Sequence, residues 1–447
     1  MFFKNKLVIV FFLSFLTTNT NAIELIRDVE LEEFTKEIIL PLTRLSNLED
    51  NRIDFYFIKS NEVNAFVTAG QRIFINTELI VQSETYAEYL GVIAHELAHI
   101  NGGHISRTKS QISELSEKSL PIYLLGILGI LGGETDAGIA AMMVGSASVQ
   151  DGYLYYSRTQ EAAADQLAIS LLCRANQPSW GLENFLKILE RDISHGSNDY
   201  QYKTTHPQTS DRYNWLKTSY KKYPNCQNNL DLKLERKFQN VRAKLTAFTH
   251  NENEVFALYQ NKDDEFAKYA IAAKNFFSGN QEKSVKLIQS LIDMYPENPY
   301  YHEFLGEIYY FQGDYTKAIK KQKTAMNILS RDNDLHLMIL GTYLLAESSN
   351  ESINESIKIL NKSLFLNKYN SYSWYLLAKA YALNNNLPLA QYASAERYYL
   401  NGDRPLALEF AKKAIKNIDK DTVEWYRTND LIELILGIDE KDNKNRS

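Results

Sequence analysis

Apolar residues recur at helical spacing over positions 28 to 45, behind Asp28, a residue suited to an N-cap. Ile53 to Ile58 reads as a strand, and Asn64 to Phe66 with Arg72 to Asn76 read as a hairpin around Gly70. A long helix is predicted next, opened by a Thr85 and Glu88 capping box and running to about Gly102 and Gly103. From Leu120 to Val149 the texture changes to short apolar runs punctuated by Gly126, Gly129, Gly132, Gly133, Gly138 and Gly145. Each run is too short to cross a bilayer. Two readings fit this segment: a buried helical hairpin whose glycines permit close packing, or a lid or membrane-touching flap over a site. Asp151 then caps a helix predicted over Tyr153 to Cys173, with Arg158, Glu161 and Asp165 on one face.

Beyond about residue 250 the pattern becomes repeated helix pairs. Leu305, Gly306, Tyr309, Gly313, Tyr315, Ala318 and Ala325 match the spacing of a 34-residue tetratricopeptide unit, and Gly279 lies one period before Gly313. Leu340 and Gly341 begin a third unit, with a second helix expected over Ile353 to Leu366 and extra residues expected in the turn before it. Trp374, Leu377, Ala378, Tyr381 and Ala390 give a fourth unit, and Ala395 to Ala414 a shortened fifth that reuses the preceding helix. Small residues let paired helices touch, and aromatics fill the space between units, so the many Tyr and Phe residues here are mainly core. A solenoid of this kind offers a concave face for polypeptide.

The fold class expected is α+β and mostly helical: residues 23–250 a domain with a small sheet, residues 251–447 an all-helical repeat domain. Residues 1–22 stand apart from both. Lys4 and Lys6 precede the apolar stretch Leu7 to Leu16, and Thr20, Asn21 and Ala22 offer a small-residue cleavage site, so this segment reads as a secretory signal peptide. Export predicts a soluble product in an oxidising compartment, where Cys173 and Cys226 are free to pair. Two unrelated thiols is the competing reading, and their spacing fits no zinc-thiolate site. With 49 Lys and Arg against 55 Asp and Glu, the net charge is -6, which argues against nucleic acid as a main partner.

The chemistry concentrates in His95-Glu96-Leu97-Ala98-His99. A four-residue step brings two imidazoles onto one helix face, one turn apart, where both reach a tetrahedral zinc ion. Glu96 between them can take a proton from the attacking water. The third ligand has two candidates. Gly102 stands where some zinc proteases break the helix before a third histidine, but the nearby His104 falls one residue early and reads as a supporting hydrogen-bonding residue. The other candidate, and the one chosen, is Glu161 on the second helix, with Asp165 one turn on to fix the tautomer of a ligating histidine.

His95 to His99, Glu161, Thr205-His206-Pro207 and Asp211-Arg212 together resemble the M48 family of zinc metallopeptidases. Asn64-Ala65-Phe66 and the run Ile26 to Glu30 are similar to its exported branch. The resemblance implies a zincin-like domain with one zinc per chain on His95, His99 and Glu161, Glu96 as general base, and His206 beside the metal. There His206 either holds the enzyme latent or stabilises an oxyanion. Asp211 and Arg212 read as a structural pair. Asn64, Ala65 and Phe66 are expected to pair with extended substrate as an added strand. The resemblance further implies a periplasmic endopeptidase of a Gram-negative bacterium, soluble or peripheral to the outer membrane. Its implied clients are misfolded or stalled outer-membrane β-barrel proteins, and its implied partners the barrel assembly machinery and the lipopolysaccharide-export barrel. The competing reading is a periplasmic chaperone or scaffold that works through the repeats without proteolysis.

Overall fold

The structure is a computed structural model, and it describes residues 24–46, 53–68, 71–104, 158–194, 206, 210–219, 226 and 229–444. The signal-peptide segment and the glycine-rich run at 120–149 lie outside the described residues. These divide into two compact units, one ending at Gly279 and the other beginning at Asn280. No described helix is long and apolar enough to cross a membrane.

The N-terminal unit is built around a four-stranded mixed sheet. Its strands are β1 (Leu25–Ile26), β2 (Asp54–Ile58), β3 (Ala65–Thr68) and β4 (Arg72–Asn76), in the order β1-β2-β4-β3. β2 and β4 run parallel, with Phe57 opposite Ile75, while β3 pairs antiparallel with β4 as the outer strand of the predicted hairpin. β1 was not legible as a strand.

Helix α1 (Val29–Thr43) starts where Asp28 accepts a hydrogen bond from the Leu31 N–H, as the N-cap pattern requires. A short helix absent from the sequence reading, α2 (Thr77–Gln82), follows β4 directly, with Asn76 ending the strand and standing at the N-cap position without a side-chain capping bond. Helix α3 (Tyr86–Asn101) carries the histidine motif, and the Glu88 half of its capping box is in place, accepting from the Thr85 N–H at 3.1 Å.

Helix α3 is wholly interior as far as His99. It packs against β3, against α4 (Arg158–Arg174) and against α5 (Gly181–Ser194). The contact with α5 is backbone on backbone. A Cβ on Gly181 would lie 1.8 Å from the Ala87 carbonyl oxygen, and one on Gly91 would lie 2.4 Å from the Leu182 nitrogen. Glycine is obligatory at both positions, and their close approach fixes where α3 sits. Against α4 the buried small residues are Ala94, Ala98, Ala164 and Ala168, while Ala163 faces outward.

α6 (Ser210–Ser219) packs on α4 and α5. Beyond it, α7 (Leu232–Thr249), α8 (Glu252–Tyr259) and α9 (Glu265–Phe277) close the unit. Phe34 and Tyr89 both pack on Phe238 of α7, and the Thr35 hydroxyl lies 3.0 Å from the Tyr89 hydroxyl. One core therefore joins α1, α3 and α7. Lys244 of α7 reaches back to Asp28 at 2.6 Å and Glu30 at 3.1 Å.

The C-terminal unit is a stack of helix pairs: α10 (Gln281–Met294), α11 (Pro299–Gln312), α12 (Tyr315–Leu329), α13 (Asp334–Glu347), α14 (Asn350–Leu366), α15 (Ser371–Leu383), α16 (Leu387–Leu400), α17 (Arg404–Ala414) and α18 (Val423–Lys444). Gly313 ends α11 at φ 82°, the left-handed value that glycine adopts freely. At Gly341 a Cβ would meet Leu360 at 2.7 Å, so the repeat glycine admits the partner helix. Tyr310 and Tyr343 stack between units with ring centroids 4.9 Å apart. α16 packs on both α15 and α17, the sharing that the short spacing of the fifth unit implied.

The third unit corrects the sequence reading. Its turn is as short as its neighbours', because Ser348 takes the left-handed conformation at φ 63° and Ser349 caps the next helix. The extra residues lie within α14, which is 17 residues long.

Candidate metal centre

His95 and His99, one turn apart on the buried α3, point their Nε2 atoms to the same spot, 3.0 Å from each other. α4 brings Glu161 to that spot. One carboxylate oxygen lies 3.3 Å from His95 Nε2 and the other 3.3 Å from His99 Nε2. His206 completes the cluster, its Nδ1 3.1 Å from Glu161 Oε1. One donor atom from each of these four residues lies within 4.8 Å of the others, and all four side chains are buried.

Behind this ring three of the donors, His95, Glu161 and His99, are held from the rear. His95 Nδ1 lies 2.9 Å from Asp165 Oδ1, one turn along α4 from Glu161. Arg212, on α6, donates from Nε to Asp165 Oδ2 at 2.7 Å and from Nη2 to Oδ1 at 2.9 Å, and its Nη1 sits 2.6 Å from Glu161 Oε2. His99 Nδ1 faces His104 Nδ1 at 2.9 Å. The sequence reads Asp211 and Arg212 as a structural pair; Arg212 holds the two acids of α4, and the Asp211 side chain lies outside what the structure describes. A signal that could have pointed here is electrostatic: two carboxylates on one buried helix face need a buried cation.

The protonation pattern follows from these contacts. Burial opposes ionisation of Glu161, yet the His206 and His95 rings hold its carboxyl far below the usual range. Burial likewise opposes the Asp165 charge, and His95 and Arg212 hold it low. His99 is driven well below the ordinary histidine value by burial and so carries a neutral ring. Burial pushes the Glu96 carboxyl up to about 8, against the pull of His206 and Arg212 and aided by the charge of Glu161. Among the described residues both Glu96 oxygens are buried without a hydrogen-bond partner, and His206 Nε2 is 3.4 Å from Oε1. Glu96 thus points into the cluster a carboxyl that keeps its proton near neutral pH unless a cation beside it draws the proton off.

A divalent metal fits this donor set. When the Nδ1 protons of His95 and His99 face Asp165 and His104, both Nε2 atoms turn lone pairs toward one point. Two lone pairs and a carboxylate facing one another in a dry interior repel unless a cation stands between them.

The other singled-out residues fall as follows. Asn64 precedes β3, Ala65 and Phe66 lie within it, and all three are buried at the strand that packs on α3. Cys173, near the end of α4, is joined to Cys226 by a disulfide with a Cα–Cα distance of 4.5 Å.

Comparison with known proteins agrees with this geometry. Residues 27–219 match peptidase family M48, and the buried donor set of a metallopeptidase lies within that stretch. The chain is similar to the beta-barrel assembly-enhancing protease of Escherichia coli (strain K12), at 24% identity over 370 residues, covering 80% of this chain and 73% of that protein. The protein of that name in Yersinia pestis is 23% identical over 371 residues, covering 80% and 74%. Among solved structures, a thermophilic TPR protein of Thermus thermophilus is 17% identical, covering 38% of this chain and 99% of that one, with a TM-score of 0.25.

Proposed function

We propose that this chain is a zinc-dependent endopeptidase of the Gram-negative periplasm that removes misfolded or stalled outer-membrane β-barrel proteins and assists their assembly. The observation that carries the reading is Glu96: a buried carboxylate with no hydrogen-bond partner among the described residues, beside three imidazoles and a second carboxylate converging on one point. His95, His99 and Glu161 would hold one zinc ion, which when bound supplies Lewis-acid polarisation of the scissile carbonyl and acidifies a water. Glu96 takes the proton of the attacking water and delivers it to the departing amine. Asp165, clamped by Arg212, keeps the His95 proton on Nδ1.

His206 stands among the donors in the resting arrangement, which supports latency: its ring fills the place that a water or substrate carbonyl needs. In the competing role the same ring would donate to the oxyanion.

Substrate specificity by backbone pairing suits a quality-control protease, because a strand added to an edge is read through its main chain. β3, with Asn64, Ala65 and Phe66 at its start, is the outer strand beside α3 and the candidate template. In this reading residues 23–250 do the chemistry, and the repeats of 251–447 engage clients, the barrel assembly machinery or the lipopolysaccharide-export barrel. The names of the relatives support the client class, and the basic and apolar N-terminal segment supports export.

A scaffold role alongside proteolysis is favoured by Phe365 and Tyr369 of the repeat unit, which are 87% and 69% exposed. Glu96→Gln separates the two roles. It should keep zinc, lose cleavage of an unfolded outer-membrane β-barrel protein, and retain any holding activity. Undiminished cleavage would refute the assignment of Glu96 as base.

A further inference from the structure

The two histidines of the α3 motif are supported differently. His95 leans on a carboxylate, Asp165, while His99 leans on another imidazole, 2.9 Å away. We propose that His104 is a positioning residue that fixes the Nδ1–H tautomer of His99 by accepting its proton on Nδ1, and that Gly102 and Gly103 exist to fold it back into place. The proposal rests on His99 being a metal ligand.

The local chain shows how the arrangement is built. α3 ends at Asn101, and the Gly102 N–H still bonds to the Ala98 carbonyl at 2.9 Å. Gly103 then takes φ 62°, a left-handed turn that reverses the chain. His104 comes back over the last turn of the helix, 4% exposed, its ring edge-on to His99 with centroids 5.0 Å apart. The ring lies directly above Gly102, where a Cβ would sit 2.6 Å from Nε2 and 3.0 Å from two ring carbons. Any larger residue at 102 pushes the imidazole off His99. Gly102 is therefore needed to seat His104 over the helix end, whereas the alternative sequence reading used the same glycine to aim a third ligand at the metal.

The chemistry is specific. For His99 Nε2 to present a lone pair, the proton must be on Nδ1, and its neighbour must accept it. His104 then carries its own proton on Nε2. A neutral acceptor orients the ligand without adding a second negative charge beside Glu161, unlike the Asp165 support of His95. Loss of such an outer hydrogen bond weakens metal binding by roughly 10- to 100-fold.

The test uses full-length protein titrated with Zn2+ against a chelator, with thermal unfolding of the metal-free forms as a fold control. His104→Ala and Gly102→Ala should each weaken zinc binding by about 10-fold or more. His104→Asn, whose side-chain oxygen can occupy the Nδ1 position, should restore most of the loss, and His104→Gln should not. Nitrogen-15 histidine spectra of the zinc-loaded wild type give a readout that needs no variant to fold: the proton should be on Nδ1 of His99 and on Nε2 of His104. Wild-type affinity in His104→Ala, failure of His104→Asn to rescue, or the opposite tautomers would overturn the proposal. His99→Ala must abolish zinc binding; if it does not, the metal assignment itself fails along with the inference.

Discussion

Arg212 grips Asp165 through two hydrogen bonds of 2.7 and 2.9 Å and touches Glu161 at 2.6 Å, so one guanidinium holds both acids of α4 in the buried site. A planar fork matches a carboxylate in a way that a lysine does not. Removing it leaves two buried carboxylates without their cation. Arg212→Gln should cost about 3 to 5 kcal/mol in unfolding free energy, read from urea denaturation of the metal-free protein. Arg212→Lys should recover only part of that. A change within about 0.5 kcal/mol would show that the clamp contributes nothing.

Away from the site, Glu30 is buried beside Lys244, Asp28 and the Tyr269 hydroxyl, and burial pushes its carboxyl up from 4.5 to about 7. A carboxyl with a raised folded value holds its proton more tightly when folded. The stability it lends is full below about 4.5 and is lost as pH rises through about 7, a change of roughly 3 kcal/mol. Glu30→Gln should therefore gain on the wild type between pH 5 and pH 8. Urea midpoints at the two pH values check this; a constant difference between the proteins would contradict it.

The Cys173 to Cys226 disulfide closes a sequence separation of 53 residues around the segment that contributes His206 and Arg212. Chain-entropy arithmetic for a loop of that length gives about 4 kcal/mol. Reductant, or the double variant Cys173→Ser with Cys226→Ser, should lower the unfolding midpoint accordingly, with the largest relative loss in protein freed of metal. An unchanged midpoint in dithiothreitol would count against any stabilising role.

His206 is the fourth donor of the cluster, and its displacement is the step that we connect with activation. His206→Ala should keep zinc and cleave unfolded casein faster than the wild type at rest. A fall of about 100-fold or more would assign the ring to the oxyanion, and no change would remove it from the mechanism.

Much of the site was legible because helical period is a strict rule. The step from His95 to His99, and that from Glu161 to Asp165, place side chains on one face whatever the fold around them. Long-range partners were harder to see. Arg212 reaches Asp165 across 47 positions, and no local rule prefers that acid to the adjacent Asp211. β1, at two residues, is too short for a period to register, and α2 hides because Asn76 both ends β4 and opens the helix. In the repeats, the expected turn insertion became helix because Ser348 took the left-handed place that Gly313 fills in an earlier unit.

The central claim is that His95, His99 and Glu161 converge on one divalent ion. Metal analysis of the purified protein and of its Glu161→Ala variant, each equilibrated with Zn2+ and desalted, tests it most directly. The wild type should retain one zinc per chain and the variant should release it. A wild type that holds no metal, or a variant that holds as much as the wild type, would contradict the account.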